Sequence, residues 1–296
     1  MKVLVTFSGG KDSLASLLWV RNKLTKNFVT VFCDTGWEHP LTYQYIEEIR
    51  RLLDLNLVTI KSKKFDGMVD LVKKKSRWPS SQRRFCTSEL KTIPMVDYIL
   101  DEVNDDILII QGIRAGESAA RSKLSCSADY FGAYKDPTNK KSLYHKTKVL
   151  DWCASHTATV ERPFFGETGQ YVIDYILNNG QKPNPLYRRG CSRVGCYPCI
   201  YAKLSELRIL AKDDKYVQRV IQLENDVRRL REDVEKTPSS FFAKGKIPAR
   251  YCKTYGNGIA TFQEIVDYVS LKNVPTLFDD EENGESCMSM YHGLCE

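Results

Sequence analysis

The chain has 296 residues, 42% of them hydrophobic, and carries a formal net charge of +7. That length supports one large domain plus an appendage, and the lack of any run of 18 apolar residues excludes a membrane-spanning helix. The positive excess suits a polyanionic ligand such as ATP or nucleic acid and carries no information about fold. The first residues lack a signal peptide's layout, so a cytoplasmic location is expected. In that compartment the ten cysteines are read as metal-binding or catalytic rather than as disulfides.

Residues 3–7 form a short apolar strand that runs into Ser8-Gly9-Gly10-Lys11-Asp12-Ser13 and then into a helical stretch at 14–20. Strand, glycine turn and helix together make a phosphate cradle. Glycine lets the backbone approach closely, and the free amides at the helix start point at the anion. Lys11 adds a point charge, and Ser8 and Ser13 add hydroxyl donors. The Walker spacing is absent, so hydrolysis of a terminal phosphate is not the expected chemistry. Asp12 suits either magnesium binding or capping of the helix start.

Further apolar runs follow at 28–33, Leu57–Ile60, 107–111 and 159–161, with an amphipathic helical stretch at 41–53. Short buried strands alternating with helices predict an α/β fold: a Rossmann-like, doubly wound, mostly parallel sheet. Ligands of such sheets sit beyond the carboxyl ends of the strands. Asp34, Thr35 and Gly36 follow the second strand, and Gly112 through Arg121 follow the fourth. Asp34 suits a ribose or magnesium contact, with an Asp-Thr-Gly turn as the alternative. Arg114 and Arg121 suit phosphate or an adenylate and Glu117 suits orienting them, surface ion pairing being the alternative.

Before Cys86 lies a basic stretch: Lys61, Lys63, Lys64, Lys73, Lys74, Lys75, Arg77, Arg83 and Arg84, interleaved with Trp78 and Phe85. It reads either as a DNA- or RNA-binding surface with stacking aromatics or as a solvated helix face. Cys191, Cys196 and Cys199 then cluster, the last two as Cys-x-x-Cys, and a fourth ligand must come from elsewhere. Cys33, Cys126, Cys153 and Cys252 read as isolated buried thiols. Helical spacing predicts one long helix over 204–234, and 237–296 reads as an irregular extension with a solvated acidic run at 279–282. The expected organisation is a nucleotide-binding domain at 1–200 and a helical, irregular extension at 201–296.

The Ser-Gly-Gly-Lys-Asp-Ser string resembles the pyrophosphate loop of the adenine nucleotide α-hydrolase superfamily, which implies ATP cleaved between its α and β phosphates. Asp34-Thr35-Gly36-Trp37, Gly112-Ile113-Arg114-Ala115-Gly116-Glu117-Ser118 with Arg121, Arg162-Pro163-Phe164 and Asn184-Pro185-Leu186-Tyr187 resemble segments of its phosphoadenylyl sulfate reductase and sulfate adenylyltransferase branch. The resemblance implies that Ser8, Gly9, Gly10, Lys11, Asp12, Ser13, Asp34, Thr35, Gly36, Gly112, Arg114 and Glu117 hold magnesium ATP, with Lys11, Asp12, Arg114 and Arg121 serving catalysis. The reductases' loops usually lack the Gly-Gly-Lys-Asp core, so an intact loop favours splitting ATP.

Cys86-Thr87-Ser88-Glu89-Leu90-Lys91-Thr92-Ile93-Pro94 resembles a segment of cluster-bearing adenylyl sulfate reductases, with Phe85 in place of the first of their two cysteines. It implies four thiolates, Cys86, Cys191, Cys196 and Cys199, around a 4Fe–4S cluster, with zinc as the competitor. The combined pattern resembles the ATP-hydrolysing subunit of DNA phosphorothioation systems. It implies ATP-dependent sulfur transfer to DNA or RNA, a sulfur donor such as a cysteine desulfurase, no membrane, and room for a homo-oligomer. The alternatives are a phosphoadenylyl or adenylyl sulfate reductase and, from another class, a nucleic-acid-binding protein that senses ATP or redox state. The ending His292-Gly293-Leu294-Cys295-Glu296 holds the residues of the reductases' thiol tail in a different order; Cys295 stays a candidate thiol, as does a pair with Cys287.

Overall fold

The computed structural model describes residues 1–232 and 240–271. Val234, the acidic run at 279–282, Cys287 and Cys295 lie outside the described residues. The chain divides into two compact units. The first comprises Met1–Asp34, Pro40–Lys61 and Thr92–Pro185; the second comprises Thr35–His39, Ser62–Lys91 and the described residues from Leu186 onward. Each unit is therefore assembled from separated segments, which differs from the single boundary expected near residue 200.

The first unit is built on a six-stranded sheet of β1 (Lys2–Thr6), β2 (Val29–Cys33), β3 (Leu57–Ile60), β4 (Ile107–Ile110), β5 (Ser127–Asp129) and β6 (Ala158–Glu161). Their order is β3-β2-β1-β4-β6-β5, all parallel except β5, which runs antiparallel to β6. This is the expected Rossmann-like α/β sheet. β5 escapes sequence reading because Ser-Ala-Asp is short, polar and has no period.

The strand period of two sorts β1 between two cores. Val3, Val5 and Phe7 pack with Leu14 and Leu17 of α1 (Lys11–Trp19), Ile46 of α2 (Pro40–Leu52) and Val172 of the helix Gly169–Asn178. Leu4 packs on the other face with Ile107, Ile109 and with Met95 and Ile99 of the helix Ile93–Glu102. Helices cover both faces, which is why the central strands read as unbroken apolar runs. The order places β1 between β2 and β4, so the chain reverses direction across the sheet at the carboxyl ends of β1 and β4, the usual ligand position.

The second unit has its own core, with Trp37, Met68, Leu71, Trp78, Leu207, Val220, Val227, Phe241 and Phe262 among its buried members. The single helix expected over 204–234 is instead two, Leu204–Leu210 and Asp214–Glu232. The break has a local cause: the Asp213 carboxylate accepts from the Tyr216 amide at 3.4 Å and starts a new helix. The extension is also less irregular than expected. Thr261 and Glu264 close a capping box that starts the helix Phe262–Ser270.

Candidate functional site

Two centres carry the residues singled out in the sequence, one in each unit. In the first unit β1 ends at Thr6, and the loop enters α1 with Gly10 as the N-cap. Gly9 has φ +75°, a conformation glycine adopts without penalty, and a Cβ there would lie 3.0 Å from Thr42 Cγ2 and 3.1 Å from Ile46 Cγ1. The Ser13 hydroxyl folds back: it accepts from the Ser8 amide at 3.2 Å and donates to the Gly10 carbonyl at 2.9 Å. No side chain caps α1. Asp12 is therefore not the cap; it sits in the first turn, where the helix dipole favours an anion.

Charged side chains converge on this loop. Asp12 Oδ2 lies 3.8 Å from Lys11 Nζ, and its Oδ1 accepts from Arg114 Nε at 2.5 Å. Glu117 accepts from the Arg114 amide at 3.2 Å and pairs with Arg121. The two arginines and two carboxylates thus form an orienting network rather than scattered surface pairs. Gly112, just after β4, lets that segment meet the first turn of α1, because a Cβ there would fall 2.4 Å from Asp12 C and Ser13 N. Asp34 is held by the Tyr43 hydroxyl at 2.7 Å and by Lys61 at 3.0 Å. Loop amides, a buried lysine and clustered arginines can bind a polyphosphate and stabilise charge on a leaving pyrophosphate.

Thr35 and Gly36 belong to the second unit. Thr35 Oγ1 donates to Glu38 Oε1 at 2.7 Å and lies 3.8 Å from Cys196 Sγ. Its surroundings are thus those of the cysteine centre. There a cavity of about 80 Å³ is lined by Thr35, Cys86, Lys91, Cys196 and Cys199, with Arg84 and Tyr201 among its other walls. The cysteine loop is pinned at several points. Trp37 Nε1 donates to the Pro198 carbonyl at 3.1 Å, and the Tyr197 amide donates to the Trp37 carbonyl at 2.8 Å. Glu206 accepts from Ser192 Oγ at 2.8 Å, the Arg193 amide at 3.0 Å and the Lys203 amide at 2.9 Å. Burial pushes the Cys196 thiol up to about 11 and, with the neighbouring Cys199, raises Cys86.

Three of the four expected thiolates therefore share one cavity. Cys191 does not line it; it is buried and near enough to Tyr197 that, after burial as the larger cause, it helps push that hydroxyl up. Among the described residues no group of three or more His, Cys, Asp or Glu side chains stands close enough to hold a metal ion. Other expectations also change. Cys126 is exposed beside the edge strand, Cys33 and Cys153 are half-buried, and only Cys252 of these four is buried. Trp78 is a core residue packed on Phe241 at 4.5 Å, so it offers no stacking face. Lys73, Lys74 and Lys75 pair with Asp226, Asp70 and Glu89, whereas Arg83 and Arg84 are exposed, with Arg84 over the Tyr201 ring at 5.4 Å. Sequence reading assigned no role to Lys91, Tyr201 or Asn184, and placed Arg84 only in the basic stretch. Lys91 and Asn184 lay within quoted motifs, whereas Glu206, the staple of the cysteine loop, left no signal.

The phosphoadenosine phosphosulfate reductase domain family matches residues 2–202. The chain belongs to that family. Among its relatives, an uncharacterized 37.8 kDa protein of Escherichia phage 186 is 29% identical over 99% of this chain and 96% of its own length. An uncharacterized nin region protein of Escherichia phage lambda is 24% identical over 96% of this chain and 93% of its own length. An uncharacterized Methanocaldococcus jannaschii protein is 27% identical over 71% of this chain, which spans only 38% of it. Of solved structures, the phosphoadenylyl-sulfate reductase of Candida auris in a phosphate complex aligns with a TM-score of 0.46 at 17% identity, covering 67% of this chain and 83% of that one. Among the described residues no helix is long and apolar enough to cross a membrane.

Proposed function

We propose that this family member cleaves ATP between its α and β phosphates and adenylates an acceptor, a nucleic acid, for sulfur transfer. The observation that carries this reading is the intact Ser8–Ser13 loop at the start of α1, backed by buried Lys11 and by Arg114. An acceptor oxygen attacks the α-phosphorus, the bond to the β-phosphate oxygen breaks, and pyrophosphate leaves with the electron pair. The loop amides and Lys11 neutralise the charge that grows on it. A sulfur nucleophile from a donor protein then displaces AMP. Asp12 would hold magnesium, and Arg114 and Arg121 would bind the α-phosphate and the adenylate.

The sequence resemblance, rather than the spacing of the side chains, carries the assignment of Cys86, Cys196 and Cys199, with Cys191 as fourth, to a thiolate-bound group; three of them share the cavity but do not stand close enough to hold a metal as they are. A 4Fe–4S cluster, or zinc in the competing assignment, would respectively supply sulfur or electrons, or only hold the fold. Iron, sulfide and zinc analysis after anaerobic purification separates the two.

The test is ATP-dependent pyrophosphate release with DNA or RNA present. Lys11→Ala should lower it by about 10²–10³-fold, the usual cost of removing a charge-stabilising donor. Unchanged release would refute the loop assignment. The second reading compatible with the family match is reduction of an activated sulfate; sulfite release from such a sulfate in the presence of a thiol reductant, without ATP cleavage, would select it.

A further inference from the structure

We infer that Asn184 is the positioning residue of the phosphate loop, anchoring the Gly9 carbonyl so that the Gly10 amide is turned towards the anion. The inference rests on the reading of Ser8–Ser13 as a phosphate loop and assigns a role to the Asn184-Pro185 motif, 175 residues away in the chain.

The problem it solves is a mobile peptide. A Gly-Gly peptide can reverse its C=O and N–H at little cost, since neither residue has a Cβ to oppose the change. A reversed Gly9–Gly10 peptide would point a carbonyl at a polyphosphate. Asn184 is only 1% exposed, and its side-chain amide donates to the Gly9 carbonyl at 3.2 Å and to Thr42 Oγ1 at 3.5 Å. In a planar trans peptide the N–H lies opposite the C=O, so fixing the Gly9 oxygen on Asn184 directs the Gly10 N–H away from Asn184 and α2. The next carbonyl, Gly10, is bound by Ser13 Oγ at 2.9 Å and by the Leu14 amide at 3.0 Å. Two successive carbonyls are thereby turned inward.

The segment carrying Asn184 is itself held. Tyr45 of α2 donates its hydroxyl to the Lys182 carbonyl at 2.6 Å. Pro185 restricts Asn184 to extended backbone, which fixes where the side chain starts. Asn184 does not touch the reacting atoms; it acts through the loop.

Magnesium pyrophosphate is the probe, measured by calorimetric titration and by the Gly10 amide signal of protein labelled with ¹⁵N-glycine. In the wild type that amide should shift on binding. In Asn184→Ala the shift should vanish and affinity fall roughly tenfold or more, the cost of one lost hydrogen bond to a charged partner. Asn184→Asp, which sets an oxygen against the Gly9 carbonyl, should bind at least as weakly. Should Asn184→Asp not fold, the alanine variant carries the test. If wild type binds, Lys11→Ala does not, and Asn184→Ala keeps both affinity and the Gly10 shift, the positioning role is overturned and the loop reading survives. A lower melting temperature in Asn184→Ala with unchanged affinity also overturns it. If wild type binds no pyrophosphate, the loop reading itself fails and the inference falls with it.

Discussion

The two centres are held in place by different physics. In the proposed phosphate loop, backbone packs without a Cβ: Gly112 meets the Asp12 and Ser13 backbone where a single methyl would not fit, and Gly9 lies against the Thr42 and Ile46 side chains of α2. In the cysteine centre, side chains share the work with backbone: the Trp37 indole and the Glu206 carboxylate bind the loop that carries Cys191, Cys196 and Cys199, beside a backbone bridge from Glu38 to Cys196. The first arrangement suits a ligand bound by amides, whose directions must not vary. The second leaves thiols that burial keeps protonated, and such thiols release protons when they take up a metal.

The largest expected effect comes from the loop. Gly112→Ala places its Cβ against backbone that has no flexible end to yield, so overpacking should cost on the order of 3 kcal/mol, at the upper end for such changes. Pyrophosphate release should be lost with it. Gly116→Ala, whose Cβ would meet nothing within 4 Å, is the matched control and should be tolerated. Urea unfolding and pyrophosphate release on both variants check this; equal behaviour would mean that the segment after β4 is not held against α1 by backbone packing.

Glu206→Ala probes the other centre. It leaves the Ser192 hydroxyl and two backbone amides without their acceptor, at a cost of about 1–3 kcal/mol. Cys196 and Cys199 should then react faster with a thiol reagent, while pyrophosphate release, if the loop splits ATP as proposed, persists. Loss of pyrophosphate release in a variant that remains folded would break the distinction between the centres.

How much of this was legible in the sequence follows the same division. The proposed phosphate loop is contiguous, so six adjacent residues suffice to suggest it, and the period-two strands around it announce the sheet. The cysteine centre draws on residues 35–38, 84–91 and 196–201. Spacing within one segment says nothing about which segments meet. That is why Cys191, equal to its neighbours in the sequence, does not line the cavity with them, and why Thr35 stands beside Cys196. Trp78 misled for a related reason: flanking charges made it look exposed, but it packs on Phe241 from a distant segment. The break at Asp213 was readable, since an Asp before a helical run is a cap signal; continuous apolar spacing on either side concealed it.

The smallest expected effect concerns the nucleic-acid acceptor, and the ion pairs divide the basic stretch for the purpose. Lys73 already faces Asp226 at 2.7 Å and Lys74 faces Asp70 at 2.8 Å, so phosphate would have to displace a carboxylate to reach either. Arg83 and Arg84 are exposed, and the Arg84 guanidinium lies over Tyr201 at the wall of the cysteine cavity. Removing one cation that neutralises a phosphate should reduce the salt-dependence slope of binding by roughly one. Arg83→Ala and Arg84→Ala should therefore each flatten the slope by about one, and Lys73→Ala should leave it nearly unchanged. Trp78→Phe should also leave binding unchanged, because the ring is in the core and its indole nitrogen makes no hydrogen bond. Titrating a labelled single-stranded oligonucleotide at several salt concentrations reads all four variants. A steep wild-type slope to which the lysine contributes as much as the arginines would show a diffuse basic face rather than a site at the cavity wall, and a flat wild-type slope would remove the nucleic-acid acceptor from the proposal.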